Sequence, residues 1–153
     1  MPKKILIIKS SSMGDIVHAL PVAYDIKKHY PDCELSWVVE ESFTDIPKLS
    51  PFVDKLVVTA FRRWRKNIFS SSVRGEILAV RRALAEAKYD IVIDLQGLIR
   101  TAVVARWAGV ESVGYSKENI KEPLAAHFYS RTLPVSNKLV PVVRYRTMAA
   151  QAL

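Results

Sequence analysis

The sequence predicts an α/β fold, a doubly wound Rossmann-like parallel sheet. Three observations predict it. Short β-branched runs alternate with longer segments of helical spacing. The first run carries four consecutive large aliphatics, as strands covered on both faces do. The length, 153 residues, suits one domain, since domains run to about 100–200 residues. The expected organisation is therefore one domain over residues 1–153, with right-handed crossovers making the doubly wound sheet the economical topology.

The elements follow in order. Residues 3–9 (KKILIIK) form the first strand. Residues 15–30 form a helix with Ile16, Leu20 and Ala23 on one face, stopped by Pro31 and Asp32. LSWVV (35–39) is the second strand, and residues 41–49 a short helix closed by Ser50 and Pro51. KLVVT (55–59) is the third strand. Residues 76–88 form a helix whose apolar stripe is Ile77, Val80, Leu84 and Ala87. YDIVIDL (89–95) is the fourth strand, residues 98–107 a helix, and residues 111–115 a short fifth strand. The tail holds helical segments near 123–131 and from 142 onward. Ligands of such sheets bind at the carboxyl ends of the strands. The segments SSSMGD, VEES, AFRRWRKNIFSSS and DLQG should therefore share one rim.

Composition narrows the partner. Half the residues are apolar and a quarter charged, which excludes disorder, collagen and coiled coil. No apolar stretch approaches the ~18 residues of a membrane span, and the amino terminus lacks the apolar run of a secretory signal. The one cysteine, Cys33, forms no intramolecular disulfide, which points to a reducing cytoplasm. Twenty-three Lys and Arg against fifteen Asp and Glu leave a net charge of +8. An anionic partner follows, whether nucleic acid, membrane surface or phosphorylated small molecule.

Within the rim, Ser11, Ser12, Met13 and Gly14 lead from strand to helix, where free backbone N–H groups point outward. Asp15 is either a helix cap or a general base kept ionised by the helix N-terminus. His18, one turn on, either supports Asp15 or is a partly buried structural histidine. The third segment packs Arg62, Arg63, Arg65 and Lys66 with Phe61 and Trp64. It reads as an exposed rim loop that contributes little packing. Its composition suits an acidic, partly lipidic ligand or surface, or single-stranded nucleic acid. Asp94, Gln96 and Gly97 end the fourth strand and either bind a polyhydroxylated ligand or cap the next helix, in which Arg100 faces the same rim. No G-x-G-x-x-G, Walker A or G-x-S-x-G occurs, so a stand-alone NAD enzyme or P-loop NTPase is not expected. No metal site is expected either, because the three histidines lack ligand spacing.

At this point the blocks KILIIKSSSMGDIVHALP, SWVVEESF, RRWRKNIFS, YDIVIDLQGLIRTA and KEPLAAHFYSR resemble, in order, the amino-terminal half of the ADP-heptose:lipopolysaccharide heptosyltransferases. The RRWRK block is the more particular to their type I members. The resemblance implies a GT-B fold of two Rossmann-like domains and an inverting transfer of heptose from ADP-heptose to Kdo on lipid A. The acceptor is reached at the cytoplasmic face of the inner membrane, which implies a peripheral membrane contact and argues against nucleic acid as the partner. It also implies Asp15 as the base, an acceptor grip by Arg62, Arg63, Arg65 and Lys66, and a further acceptor contact at Lys121. No cofactor is implied. ADP-heptose would be held mainly by a carboxyl-terminal domain absent from these residues, so the chain alone is expected to have little or no transferase activity. LVPVVRYR departs from the family in lacking a histidine near Val140.

Overall fold

The computed structural model describes residue 2 and residues 4–153. Strands β1 (Lys4–Ile8), β2 (Glu34–Glu40), β3 (Lys55–Thr59), β4 (Ile91–Asp94), β5 (Glu111–Tyr115) and β6 (Arg131–Leu133) form one sheet in the order β3-β2-β1-β4-β5-β6. Every pairing is parallel. The predicted fold class is thus observed, although Lys3 of the expected first strand lies outside the described residues. Ile5, Leu6, Ile7 and Ile8 are all fully buried, which is what an unbroken aliphatic run at the centre of a two-faced sheet achieves.

Helix α1 (Met13–His29) and the short α2 (Asp45–Lys48) carry the chain from β1 through β2 to β3 along one face. The last helix, α6 (Pro141–Ala152), returns to pack on α1. Helices α4 (Ser71–Glu86) and α5 (Ile99–Trp107) cover the other face, with a 3₁₀ segment, Pro123–Phe128, beside α5.

Several elements differ from expectation. The helix expected over 41–49 is a 3₁₀ turn, Glu41–Phe43, followed by α2. The tail segment near 123–131 is 3₁₀ only to Phe128 and then becomes β6, the strand the sequence does not announce. β6 is three residues at the sheet edge, none fully buried, so it carries no apolar alternation. Ser112 and Ser130 help to seat it, each backbone N–H donating to the other's Oγ at 3.1 Å. Gly114 lets the Tyr129 ring lie against β5, because a Cβ there would stand 2.1 Å from Tyr129 Cε2.

The third rim segment is the largest revision. It is not a loop but helix α3 (Phe61–Lys66), and Trp64 is only 5% exposed. The Trp64 indole N–H donates to Glu76 at 2.9 Å, and its ring meets Phe61 edge-on at 5.7 Å. One aromatic among four cations suffices to fold the segment down, since its apolar area is worth more buried than solvated.

Candidate functional site

The order of the strands reverses between β1 and β4, and there the turns leaving the two strands diverge to opposite faces. Residues 10–15 and 94–97 meet at this point. Gln96 Oε1 accepts from the backbone N–H groups of Ser10 and Ser11 at 3.2 and 3.3 Å. Gln96 therefore shapes the first turn. Gly97 supports it with a left-handed backbone, φ +74°, in a space closed by Ile120.

Asp94 is fully buried. Its Oδ2 accepts from the Tyr129 hydroxyl at 2.6 Å and its Oδ1 from the N–H groups of Gln96 and Gly97 at 2.8 and 3.3 Å. Burial pushes its pKa up against those hydrogen bonds, and the Tyr129 phenol is pushed far up in turn. Of the two readings given to Asp94, bracing the turn is the one the geometry fits.

Asp15 stands in the first turn of α1, whose N-cap is Ser12 rather than Asp15 itself. Asp15 Oδ2 accepts the Ser12 N–H at 3.3 Å, and Oδ1 accepts the Tyr145 hydroxyl at 3.4 Å. Its carboxylate is half-buried at the rim, whereas Met13, Gly14 and His18 are exposed, so His18 is not the partly buried histidine considered above. Tyr145 comes from α6, 130 residues away, and its ring lies 5.0 Å from the Lys9 ammonium. Lys9 is 4% exposed. Burial pulls its pKa down to about 8, although the carboxylates of Asp15 and Asp94 act to raise it and Arg144 and Lys121 to lower it. Burial likewise pushes the Tyr145 phenol up to about 12, helped by Asp15.

The Arg144 guanidinium lies over Tyr115, 3.9 Å from the ring centroid, and donates to the Asn119 carbonyl. Its Nε and the Ser10 hydroxyl are buried without hydrogen-bond partners. Buried polar atoms of this kind call for a ligand or a functional account. Lys9, Arg144 and Tyr145 were not singled out from sequence. Lys9 had a signal, a cation ending a doubly buried strand at its carboxyl end. Arg144 and Tyr145 had none, because only tertiary folding brings α6 here.

The cations divide. Arg62 and Arg65, with Ser11 and Arg100, line a cavity of about 710 Å³ between α3, α4 and α5. The first turn and the cationic segment therefore adjoin one groove. Arg63 turns away, since its guanidinium bonds Glu41 at 3.1–3.2 Å and Glu76 at 2.8–2.9 Å. These bonds hold Glu76 down at about pKa 2, with the Trp64 indole contributing. Arg63 is thus committed to fixing α3 on α4 rather than to the groove. Lys66 and Lys121 are exposed and outside the cavity lining. Glu40, 8% exposed, accepts from the Thr59 hydroxyl and from the N–H groups of Phe61 and Arg62 at 3.1–3.3 Å, which seats the start of α3.

Among the described residues no group of three or more His, Cys, Asp or Glu is placed to hold a metal, and no helix is long and apolar enough to cross a membrane.

A sequence model of glycosyltransferase family 9 (heptosyltransferase) matches residues 77–153, half of the chain. The chain belongs to this family. The family 9 relatives include lipopolysaccharide heptosyltransferase 1 of Pseudomonas aeruginosa, 40% identical over 151 residues, covering 98% of this chain and 42% of the relative. The Escherichia coli K12 protein of the same name is also 40% identical over 151 residues, covering 98% of this chain and 47% of the relative. The solved E. coli heptosyltransferase WaaC with ADP superposes with a TM-score of 0.92 at 39% identity, over 98% of this chain and 47% of that one. A family 9 glycosyl transferase from Veillonella parvula shares the fold, with a TM-score of 0.79 at 22% identity, over 97% of this chain and 41% of that one. The family 9 chain described here spans about half the length of the curated relatives it matches.

Proposed function

We propose that residues 1–153 are the acceptor-binding domain of an inverting heptosyltransferase that moves heptose from ADP-heptose to Kdo of the lipopolysaccharide inner core. The observation that carries the reading is Asp15, a half-buried carboxylate at a helix N-terminus on the switch-point rim, beside a groove lined by Arg62 and Arg65. The relatives' name, lipopolysaccharide heptosyltransferase 1, and the capture of a relative with ADP-2-deoxy-2-fluoro heptose supply the donor and acceptor classes.

In this reading the acceptor hydroxyl passes its proton to Asp15 as its oxygen bonds to the anomeric carbon. The bond from that carbon to the diphosphate breaks, and ADP leaves with the electron pair. Asp15 is suited to the step because the Ser12 N–H and the Tyr145 hydroxyl fix its carboxylate at the rim, where an acceptor hydroxyl can meet it. Lys9, Arg62, Arg65, Lys66 and Lys121 supply positive charge for the Kdo carboxylate and lipid A phosphates. Phe69, 91% exposed, and Ile68, 47% exposed, follow these cations, a composition that suits peripheral contact with an anionic membrane face. Transition-state stabilisation needs both walls of a GT-B cleft, so this domain by itself transfers no heptose.

Titration of the chain with Kdo-lipid A in micelles, against single-stranded oligonucleotide, tests the reading. Kdo-lipid A should bind more tightly, and replacing Arg62 and Arg65 together by Ser should weaken it by about a hundredfold, roughly tenfold for each charge-assisted contact. Preference for the oligonucleotide would overturn the acceptor assignment. Asp15→Asn in a protein that includes a donor domain should lower turnover by about 10²–10⁴ while leaving acceptor affinity unchanged.

A further inference from the structure

The outer side of α4 carries charge that neither the fold nor the rim uses. Val73, Ile77, Val80 and Leu84 turn inward and are buried or half-buried. At about 100° per residue, Arg74, Leu78, Arg81 and Arg82 fall within one arc of roughly 100° facing away from them. All four are exposed, Leu78 to 44%. The same arc passes back through Ser71, two residues after Phe69, whose side chain is 91% exposed. From Ser71 to Arg82 the helix rises about 16 Å, long enough to lie along an extended surface.

This charge is uncompensated. Among the described residues the arginine ion pairs are those of Arg63, Arg131 and Arg146, so Arg74, Arg81 and Arg82 have none. Of the two acids of α4, Glu76 is taken up by Arg63 and the Trp64 indole, and Glu86 stands at the carboxyl end. Leu78 lies one turn from each arginine, four residues after Arg74 and three and four before Arg81 and Arg82. An arginine lays its methylenes along such a neighbour and sends its guanidinium outward. Cations at phosphate level with apolar groups between them are how a helix lies on a charged bilayer. Nucleic acid suits this strip less well, because the aliphatic Leu78 offers no ring on which a base stacks.

We propose that the chain rests on an anionic phospholipid bilayer through Phe69 and the face of α4 bearing Arg74, Leu78, Arg81 and Arg82. The inference gives a surface to the membrane contact in the acceptor reading above and rests on that reading. α4 follows the carboxyl end of β3 and precedes the start of β4, so it runs from the rim toward the opposite end of the sheet. Phe69 therefore marks the end nearer the rim, and a bilayer along α4 brings its headgroups to the side of the rim.

Co-sedimentation with vesicles of phosphatidylcholine and phosphatidylglycerol, free of Kdo-lipid A, tests the proposal. Each cation held at an anionic surface tightens binding by about fivefold. Replacing Arg74, Arg81 and Arg82 together by Gln should therefore weaken binding by on the order of a hundredfold. Replacing Lys28, Arg106 and Lys138 by Gln removes the same charge from exposed positions elsewhere and should weaken it by less than about fivefold. Equal losses from the two triple variants would mean diffuse attraction to a chain of net charge +8 and would overturn the proposal. A parent chain that does not sediment with phosphatidylglycerol vesicles overturns it as well. Phe69→Ala should cost about tenfold at low and high salt alike, whereas the arginine effect shrinks as salt is added. An unchanged affinity in Phe69→Ala counts against the placement.

The reading it rests on fails separately. Kdo-lipid A binding that depends on Arg62 and Arg65, with the two triple variants equal on vesicles, would remove the strip and leave the acceptor assignment. Vesicle binding that depends on Arg74, Arg81 and Arg82, with no affinity for Kdo-lipid A in micelles, would remove the acceptor assignment and leave the strip. A single-stranded oligonucleotide preferred over vesicles at equal phosphate, and lost with the same three arginines, would assign the strip to nucleic acid and overturn the proposal.

Discussion

Lys9→Met tests the electrostatics of the site most directly. An unfolded lysine keeps its proton to about pH 10.5, whereas Lys9 in the folded chain keeps it only to about 8. At about 1.4 kcal/mol per tenfold change in proton affinity, the charged form is disfavoured by roughly 3 kcal/mol at pH 7. A methionine keeps the stem packing and removes the charge. The variant should therefore be more stable at pH 7 by about 3 kcal/mol, which raises the melting temperature by roughly 6–12 °C in a chain of this size. Between about pH 8 and 10.5 the unfolded parent binds more protons than the folded parent, so its stability rises with pH and the gap closes. Urea unfolding of both proteins across this window measures it. A variant less stable than the parent at pH 7, or a gap that ignores pH, would refute the reasoning. A lysine retained against stability marks a site where charge serves binding, so Lys9→Met should also weaken acceptor affinity.

Three further outcomes follow from packing and pairing. Gly114→Ala places a Cβ within 2.1 Å of the Tyr129 ring, so the ring must move off Asp94; a loss of at least about 3 kcal/mol in urea unfolding is expected. Tyr129→Phe keeps the ring but strips the 2.6 Å donor from a fully buried carboxylate, lowering stability by about 2 kcal/mol. Glu76→Gln acts on the acid side. Glu76 titrates at about 2 when folded against 4.5 unfolded, so its contribution is present above about 4.5 and lost as the pH falls through about 2. Thermal melts of this variant should show a shallower fall in stability below pH 4.5 than the parent, the difference being small because the pair is exposed.

Much of the fold was legible because a few segments admit one reading. The four isoleucines and leucines of β1 fit only a strand covered on both sides, and residues 55–59 and 111–115 coincide with β3 and β5 as observed. The rim was legible through connectivity, since segments following parallel strands emerge at the same end. What escaped depends on contacts remote in sequence. β6 forms because β5 offers an edge and the Ser112–Ser130 exchange seats it, not because RTL favours a strand. The helical state of α3 depends on Glu76 accepting the Trp64 indole and the Arg63 guanidinium. A run of four cations hides that, because sequence shows the charges and not the acids that meet them. For the same reason the four cations looked equivalent, although only Arg62 and Arg65 line the groove.

The partnership of Asp15 with Tyr145 has a bearing on how such a chain is made. The two residues are separated by 130 positions, which a ribosome covers in on the order of ten seconds. During that interval the central strands can emerge and associate, yet Lys9 lacks the aromatic cover of Tyr145. The full set of contacts at the rim is consequently acquired only once α6 has been made and has docked on α1.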